Sequence, residues 1–160
     1  MKRLALSSLF LLLLIRLGAD ETKLRSFDDL TKALWYYDQA NSCQEIQNAS
    51  ITRSELKKAY SDSKARILSG VRSKYSQSDY SAVETFFDDR LVKWNKKSRL
   101  LLYPCHADKA IIRGKTSWVL AFDWEIPGVS SENGKEILSH IMLFIVDPAN
   151  GNILDTVSCG

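Results

Sequence analysis

Apolar residues recur at helical spacing through the first part of the mature-looking chain and alternate with polar ones from Arg99 onward. Phe27, Leu30, Leu34, Tyr37 and Ala40 fall on one stripe, and Ser26 stands before them as a cap, with Asp28 and Asp29 in the first turn, where the helix dipole favours negative charge. Asn41-Ser42-Cys43 breaks that stripe. Thr52-Arg53-Ser54-Glu55 has the form of a capping box. It predicts a long amphipathic helix with Leu56, Tyr60, Ile67, Val71 and Tyr75 inward. Ser76-Gln77-Ser78-Asp79 reads as a turn and a second cap. A third helix follows to about Asn95, with Val83, Phe86, Phe87, Leu91 and Trp94 inward.

The strands come last. Leu100 to Tyr103 predicts a strand that stops at Pro104, and Ala110 to Arg113 a second short one. Trp118, Leu120, Phe122, Trp124 and Ile126 alternate with Ser117, Val119, Ala121, Asp123 and Glu125, the clearest strand pattern in the chain. A loop holding Pro127-Gly128 and Asn133-Gly134 leads to a buried strand from Ile137 to Val146. Asp147-Pro148-Ala149-Asn150-Gly151 is a hairpin turn, and Ile153 to Cys159 closes the domain. About three N-terminal helices packed on a C-terminal antiparallel meander of four to five strands make an α+β domain.

That order of elements resembles cystatin-like and nuclear-transport-factor-like domains. The resemblance implies a cone-like architecture with helices on one face of a curved sheet. The hairpin from Phe144 to Leu154 is similar to the closing hairpin of small exported PepSY-type domains, a likeness confined to one turn and its flanks. The chain has no counterpart of the Gln-x-Val-x-Gly loop of cystatin protease inhibitors.

The first residues set the expected compartment. Lys2 and Arg3 precede an apolar run, Leu4 to Leu6 and Leu9 to Ile15; Leu17-Gly18-Ala19 then meets Asp20-Glu21. This is the layout of a secretory signal peptide over residues 1–19, cleaved after Ala19. The run is shorter than the ~20 residues that span a bilayer. Residues 20–160 are then one domain, exported to the periplasm or outside the cell, with no membrane association after cleavage. Lys2, Arg3 and Arg16 account for the whole formal charge of +3. Residues 52–99 carry 12 Lys/Arg against 6 Asp/Glu, so a basic middle faces acidic flanks. That density is too low for a nucleic-acid surface, and nucleic acid is not an expected partner.

Of the three cysteines, Cys105 and Cys159 form the expected disulfide, since the first and fifth strands of a meander run the same way; Cys43 is then left over. Asn48-Ala49-Ser50 is a glycosylation sequon. No CxxC, HExxH or clustered His/Cys spacing occurs, so neither a metal nor a cofactor is expected.

A simple hairpin over 127–136 sets Ile126 opposite Ile137. Trp118, Leu120, Phe122 and Trp124 then share a core face with Ile145, Leu143, Ile141 and Ser139. The opposite face carries Val119, Ala121, Met142, Phe144 and Val157, with Ile153 and Cys159. A sheet with one wet face is polar there, so this apolar second face should be covered by the same chain, a second copy, a protein partner or a small apolar ligand. The expected function is binding rather than catalysis, as an inhibitor or partner-recognition module working through that face. The alternative is a pocketed cone-shaped domain acting on a small apolar molecule. There Asp123 opposite His140 supplies an acid–base pair, and Cys159 lies in line as a thiol. His106-Ala107-Asp108 is expected in a turn, Trp35-Tyr36-Tyr37 around a helix, and Asp88-Asp89 as surface charge.

Overall fold

The computed structural model describes residues 23–40, 43, 46 and 49–159. The expected signal peptide and Asn48 of the sequon lie outside the described residues. The elements are β1 (Arg25–Phe27), α1 (Leu30–Gln39), β2 (Ser50–Ile51), α2 (Arg53–Lys74) and α3 (Gln77–Thr85). A π-helical turn over Phe86–Arg90 joins α3 to α4 (Leu91–Ser98), so the two read as one helix with a bulge. Then follow β3 (Leu101–Ile112), β4 (Lys115–Glu125), β5 (Ser131–Glu132), β6 (Lys135–Ile137), β7 (His140–Val146) and β8 (Ile153–Ser158). The fold is α+β. A five-stranded sheet runs β1-β3-β4-β7-β8, antiparallel except where β1 joins β3 in parallel, and a small sheet runs β2-β6-β5.

Helix starts follow the side chains that satisfy free N–H groups. Thr52 and Glu55 close the expected capping box on α2, and Ser76 accepts from the Asp79 N–H at 3.1 Å on α3. The first helix differs from expectation. Ser26 and Phe27 are in β1, paired with Ile111 and Ile112, and Asp29 is the cap, accepting from the Lys32 N–H at 2.8 Å. The cause is β3, which is a single strand of 12 residues and leaves an edge that β1 covers.

Pro104 does not end that strand. A bulge between Pro104 and His106 absorbs the missing donor, and the freed Pro104 carbonyl accepts from Ser63 Oγ on α2. This bond accounts for a buried serine in the middle of a helix.

The register of β4 on β7 is one residue away from the simple hairpin. Trp118 faces Val146, Leu120 faces Phe144, Phe122 faces Met142 and Trp124 faces His140. The connection builds its own small sheet, in which Ile137 pairs with Ser50 rather than Ile126. A one-residue slip turns every β7 side chain over. Met142 and Phe144 therefore lie with the helices, beside Phe86, Phe87, Leu91, Trp118 and Phe122. The expected binding surface is split: Met142 and Phe144 belong to this core, while Val119, Ala121 and Val157 sit on the other face.

That other face is covered from within. α1 lays Leu30, Ala33, Leu34 and Tyr37 over Val119, Ala121, Ile141, Leu143 and Ile145. The main sheet is thus a filling between α2–α4 and α1, which explains why both faces of β4 and β7 are apolar.

The turn after β7 leans on the helix layer. Gly151 has φ +74°, and a Cβ there would run into the Ala82 carbonyl oxygen and lie 3.0 Å from the Phe86 backbone nitrogen. Both atoms belong to helix backbone and cannot swing away. Gly151→Ala should therefore lower stability by about 2–3 kcal/mol, combining left-handed strain with overpacking. A urea midpoint equal to wild type would show that the turn does not rest on the helix.

Candidate functional site

Two places combine chemistry with position. The first lies at the Cys105 bulge. Cys43, which follows α1, is bonded to Cys105 with Cα atoms 4.8 Å apart. This corrects the expected Cys105–Cys159 pair, and Cys159 is free and exposed. The two cysteines do lie toward the same end of the sheet. However, β4 and β7 stand between β3 and β8, a separation of about 14 Å at strand spacing, twice what a disulfide reaches.

Asp123 projects from β4 on the same face as Cys105. Its carboxylate and the two sulfurs lie within 4.8 Å of one another. Asp123 is fully buried, and neither carboxylate oxygen has a hydrogen-bond partner among the described residues. Burial pushes its pKa up to about 7, and the nearby Asp38 on α1 adds to the rise. Glu125, two residues on and equally buried, is the contrast: it accepts from the Ile126 N–H at 2.8 Å and from Ser130 Oγ at 2.9 Å.

The structure does not bring Asp123 and His140 together. Asp123 faces Ile141 in register, whereas His140 faces Trp124, stacks on its ring at 5.1 Å and approaches Glu125 at 3.6 Å. The one-residue slip that moved Met142 and Phe144 also separates this pair. Cys159 donates its backbone N–H to Ile141 at 3.1 Å, so it is on the Asp123 side of the sheet but beyond β7.

The remaining candidates take structural places. His106 and Asp108 are in β3 rather than a turn, and Asp108 accepts from the Tyr37 hydroxyl at 3.1 Å. Tyr36 lies under the Arg25 guanidinium at 4.6 Å, Tyr37 is core, and Trp35 alone of that triplet is well exposed. Asp88 pairs with Lys64, and Asp89 with Arg90 and Lys93, so the two acids serve different cations.

The second place is a cleft of about 290 Å³ between α2 and α4, with Leu100–Leu102 as its floor. Leu56, Tyr60, Leu91 and Val92 wall it, and Arg53 and Lys57 stand on the α2 side. Burial pushes the Tyr60 hydroxyl up to about 12, so it stays protonated as a donor. Arg53 is held toward the small sheet by Glu136 at 3.3 Å. Val92 is about half exposed, an apolar side chain facing solvent at the cleft. Helical spacing marks Leu56, Tyr60 and Leu91 only as core.

Among the described residues, no helix is long and apolar enough to cross a membrane. Compared with protein-family models, curated proteins and solved structures, the chain matches none.

Proposed function

We propose that this chain is an exported binding module of cone-like, cystatin-like architecture, acting outside the cell or in a periplasm. Its partner is a protein segment that is both acidic and apolar, seated in the cleft between α2 and α4. The observation that carries this reading is the wall of Leu56, Tyr60, Leu91 and Val92 with Arg53 and Lys57 beside it. An apolar floor with cations at the edge matches an apolar anchor flanked by carboxylates. The volume is at the small end of ligand pockets, which suits an anchoring side chain better than a whole small molecule. The excess of basic residues over 52–99 extends the same field around the opening. α1 fills the second sheet face, so the binding role moves from that face to the cleft. Export is supported by the Cys43–Cys105 bond, which persists in oxidising compartments, together with the signal-like start.

The test is fluorescence anisotropy with two labelled peptides, one alternating Leu and Glu and one alternating Leu and Lys. The acidic peptide should bind and the basic one should not. Val92→Glu and Lys57→Glu should each weaken the acidic peptide tenfold or more, with melting temperatures near wild type, because both positions are at the surface. Equal affinity for the two peptides, or no loss in either variant, would refute the cleft as the seat.

A further inference from the structure

We infer that the Cys43–Cys105 disulfide is a redox-active bond in the folded protein, exchanging with dithiols, and that Asp123 is the group that gives and takes its proton. This role is independent of the cleft.

The Asp123 carboxyl group has nothing to do structurally. Asp is a poor strand residue, and β4 is apolar on both faces around Asp123. A buried polar group without a partner is a liability that most folds avoid. Glu125 shows that this strand can satisfy a buried carboxylate when it needs one. Asp123 instead has two oxygens without a partner among the described residues and, within 4.8 Å, both sulfurs of a disulfide.

A disulfide has no proton to donate and is a weak acceptor, so the oxidised pair cannot satisfy the carboxyl group. The reduced pair can. When the bond opens, the sulfurs separate by about 1.5 Å to reach van der Waals contact, and each becomes a thiol donor or a thiolate acceptor. The carboxyl group is thus placed to interact with the product of reduction rather than with the resting state.

The titratable groups around Asp123 come from several elements. Asp38 is on α1; Tyr103 is directly opposite on β3, and His106 is two pairs along, past the bulge. Cys159 lies beyond Ile141 on the far side of β7. Burial lowers the His106 pKa, so His106 does not supply a cation at neutral pH. Asp38 disfavours a second negative charge nearby, which keeps the Asp123 proton in place until a stronger base appears. A leaving thiolate is that base.

The exchange conserves atoms and electrons. A thiolate of the external dithiol attacks one cysteine sulfur. A bond forms between reductant and protein, the Cys43–Cys105 bond breaks, and the leaving thiolate takes the Asp123 proton. Asp123, now a carboxylate, accepts the proton of the reductant's second thiol. That thiolate attacks the mixed disulfide and closes the reductant's own S–S bond. The second cysteine leaves and takes the same proton from Asp123. Two electrons and two protons have passed to the protein, the dithiol is oxidised, and Asp123 regains its proton from water. Oxidation runs the same steps backwards.

The test uses the oxidised full chain and dithiothreitol without denaturant, with thiols trapped and counted by mass at intervals from pH 5 to pH 9. Rates are divided by the dithiothreitol thiolate concentration. Wild type should be fastest at low pH and should slow through about pH 7, where Asp123 loses its proton. Asp123→Asn should be at least tenfold slower at pH 6, with no break in its profile. Repeating the reaction in low urea separates exchange in the folded state from exchange after unfolding. A rate that climbs steeply with urea in wild type means that the bond opens only in the unfolded chain, and overturns the inference. So does a profile in Asp123→Asn that matches wild type.

Discussion

Cys43→Ser and Cys105→Ser should each lower the folding free energy by about 4 kcal/mol, the entropy of closing a loop of this length in the unfolded chain. The bond spans a sequence separation of 62 and ties the segment after α1 to the middle of β3. Without it, α1 keeps its contacts with β7 and β8 but loses its covalent anchor beside them. Both cysteines are buried, so the serine that remains adds an unpaired hydroxyl to the Leu56, Tyr103 and Leu138 cluster. The double variant should be no worse than the poorer single one, because the bond is lost once. Cys159→Ser is the control. Cys159 is exposed and unbonded, so its removal should leave the urea midpoint where it was. A Cys105→Ser variant within about 1 kcal/mol of wild type would mean that no bond to Cys105 stabilises the fold, and a Cys159→Ser variant that falls with Cys105→Ser while Cys43→Ser stays at wild type would return the bond to Cys105 and Cys159.

What the sequence could and could not convey follows from the range of each interaction. The capping box of Thr52 and Glu55 involves four consecutive residues, and the alternation from Trp118 to Glu125 involves one strand. Both are local, and both appear as expected. The register of β7 is set at a distance. Ser50 reaches Ile137 from a different part of the chain and forms the small sheet that displaces a simple hairpin. No pattern within 126–146 contains that information, and the resulting slip of one residue reverses the sides of Met142, Phe144 and His140. Pro104 misleads in a similar way. It is a strand stop by chemistry, yet the bulge and Ser63 on α2 accommodate it.

The π turn over Phe86–Arg90 has no local signal: Phe86 and Phe87 are adjacent and both buried, but so are Ala82 and Val83 in the regular helix α3. At the candidate sites, Asp123 is visible as an acid in an apolar strand, but its neighbours are not. The relevant sulfurs arrive from the segment after α1 and from a bulge, and neither position can be read from spacing. The cleft between α2 and α4 depends on how two helices diverge over Leu100–Leu102, a tertiary quantity from the start.

Stability should fall with rising pH because of one residue, and Asp123→Asn should remove that fall. The Asp123 carboxyl group has a pKa of about 7 in the folded protein, raised first by burial and then by Asp38. In the unfolded chain it returns to the ordinary aspartate range near about 4. Between those values the folded state binds more protons than the unfolded state. The linkage relation then makes the slope of stability against pH negative. The contribution is complete below the unfolded value, declines as pH rises towards 7, and is gone above it. One proton bound by the folded state alone makes stability fall by about 1.4 kcal/mol for each pH unit, so the loss between pH 5 and pH 8 is roughly 3 kcal/mol. His106 works in the opposite sense, since burial lowers its pKa and the folded state resists its protonation as pH falls. Wild type alone would mix the two. The difference between oxidised wild type and oxidised Asp123→Asn cancels His106 and leaves the carboxyl group. Asparagine keeps the shape and cannot ionise, so its advantage over wild type should grow by about 3 kcal/mol from pH 5 to pH 8 in urea melts. Two curves that stay parallel across that range would mean that Asp123 is not protonated in the folded state. The proton that the disulfide exchange requires would then be absent as well.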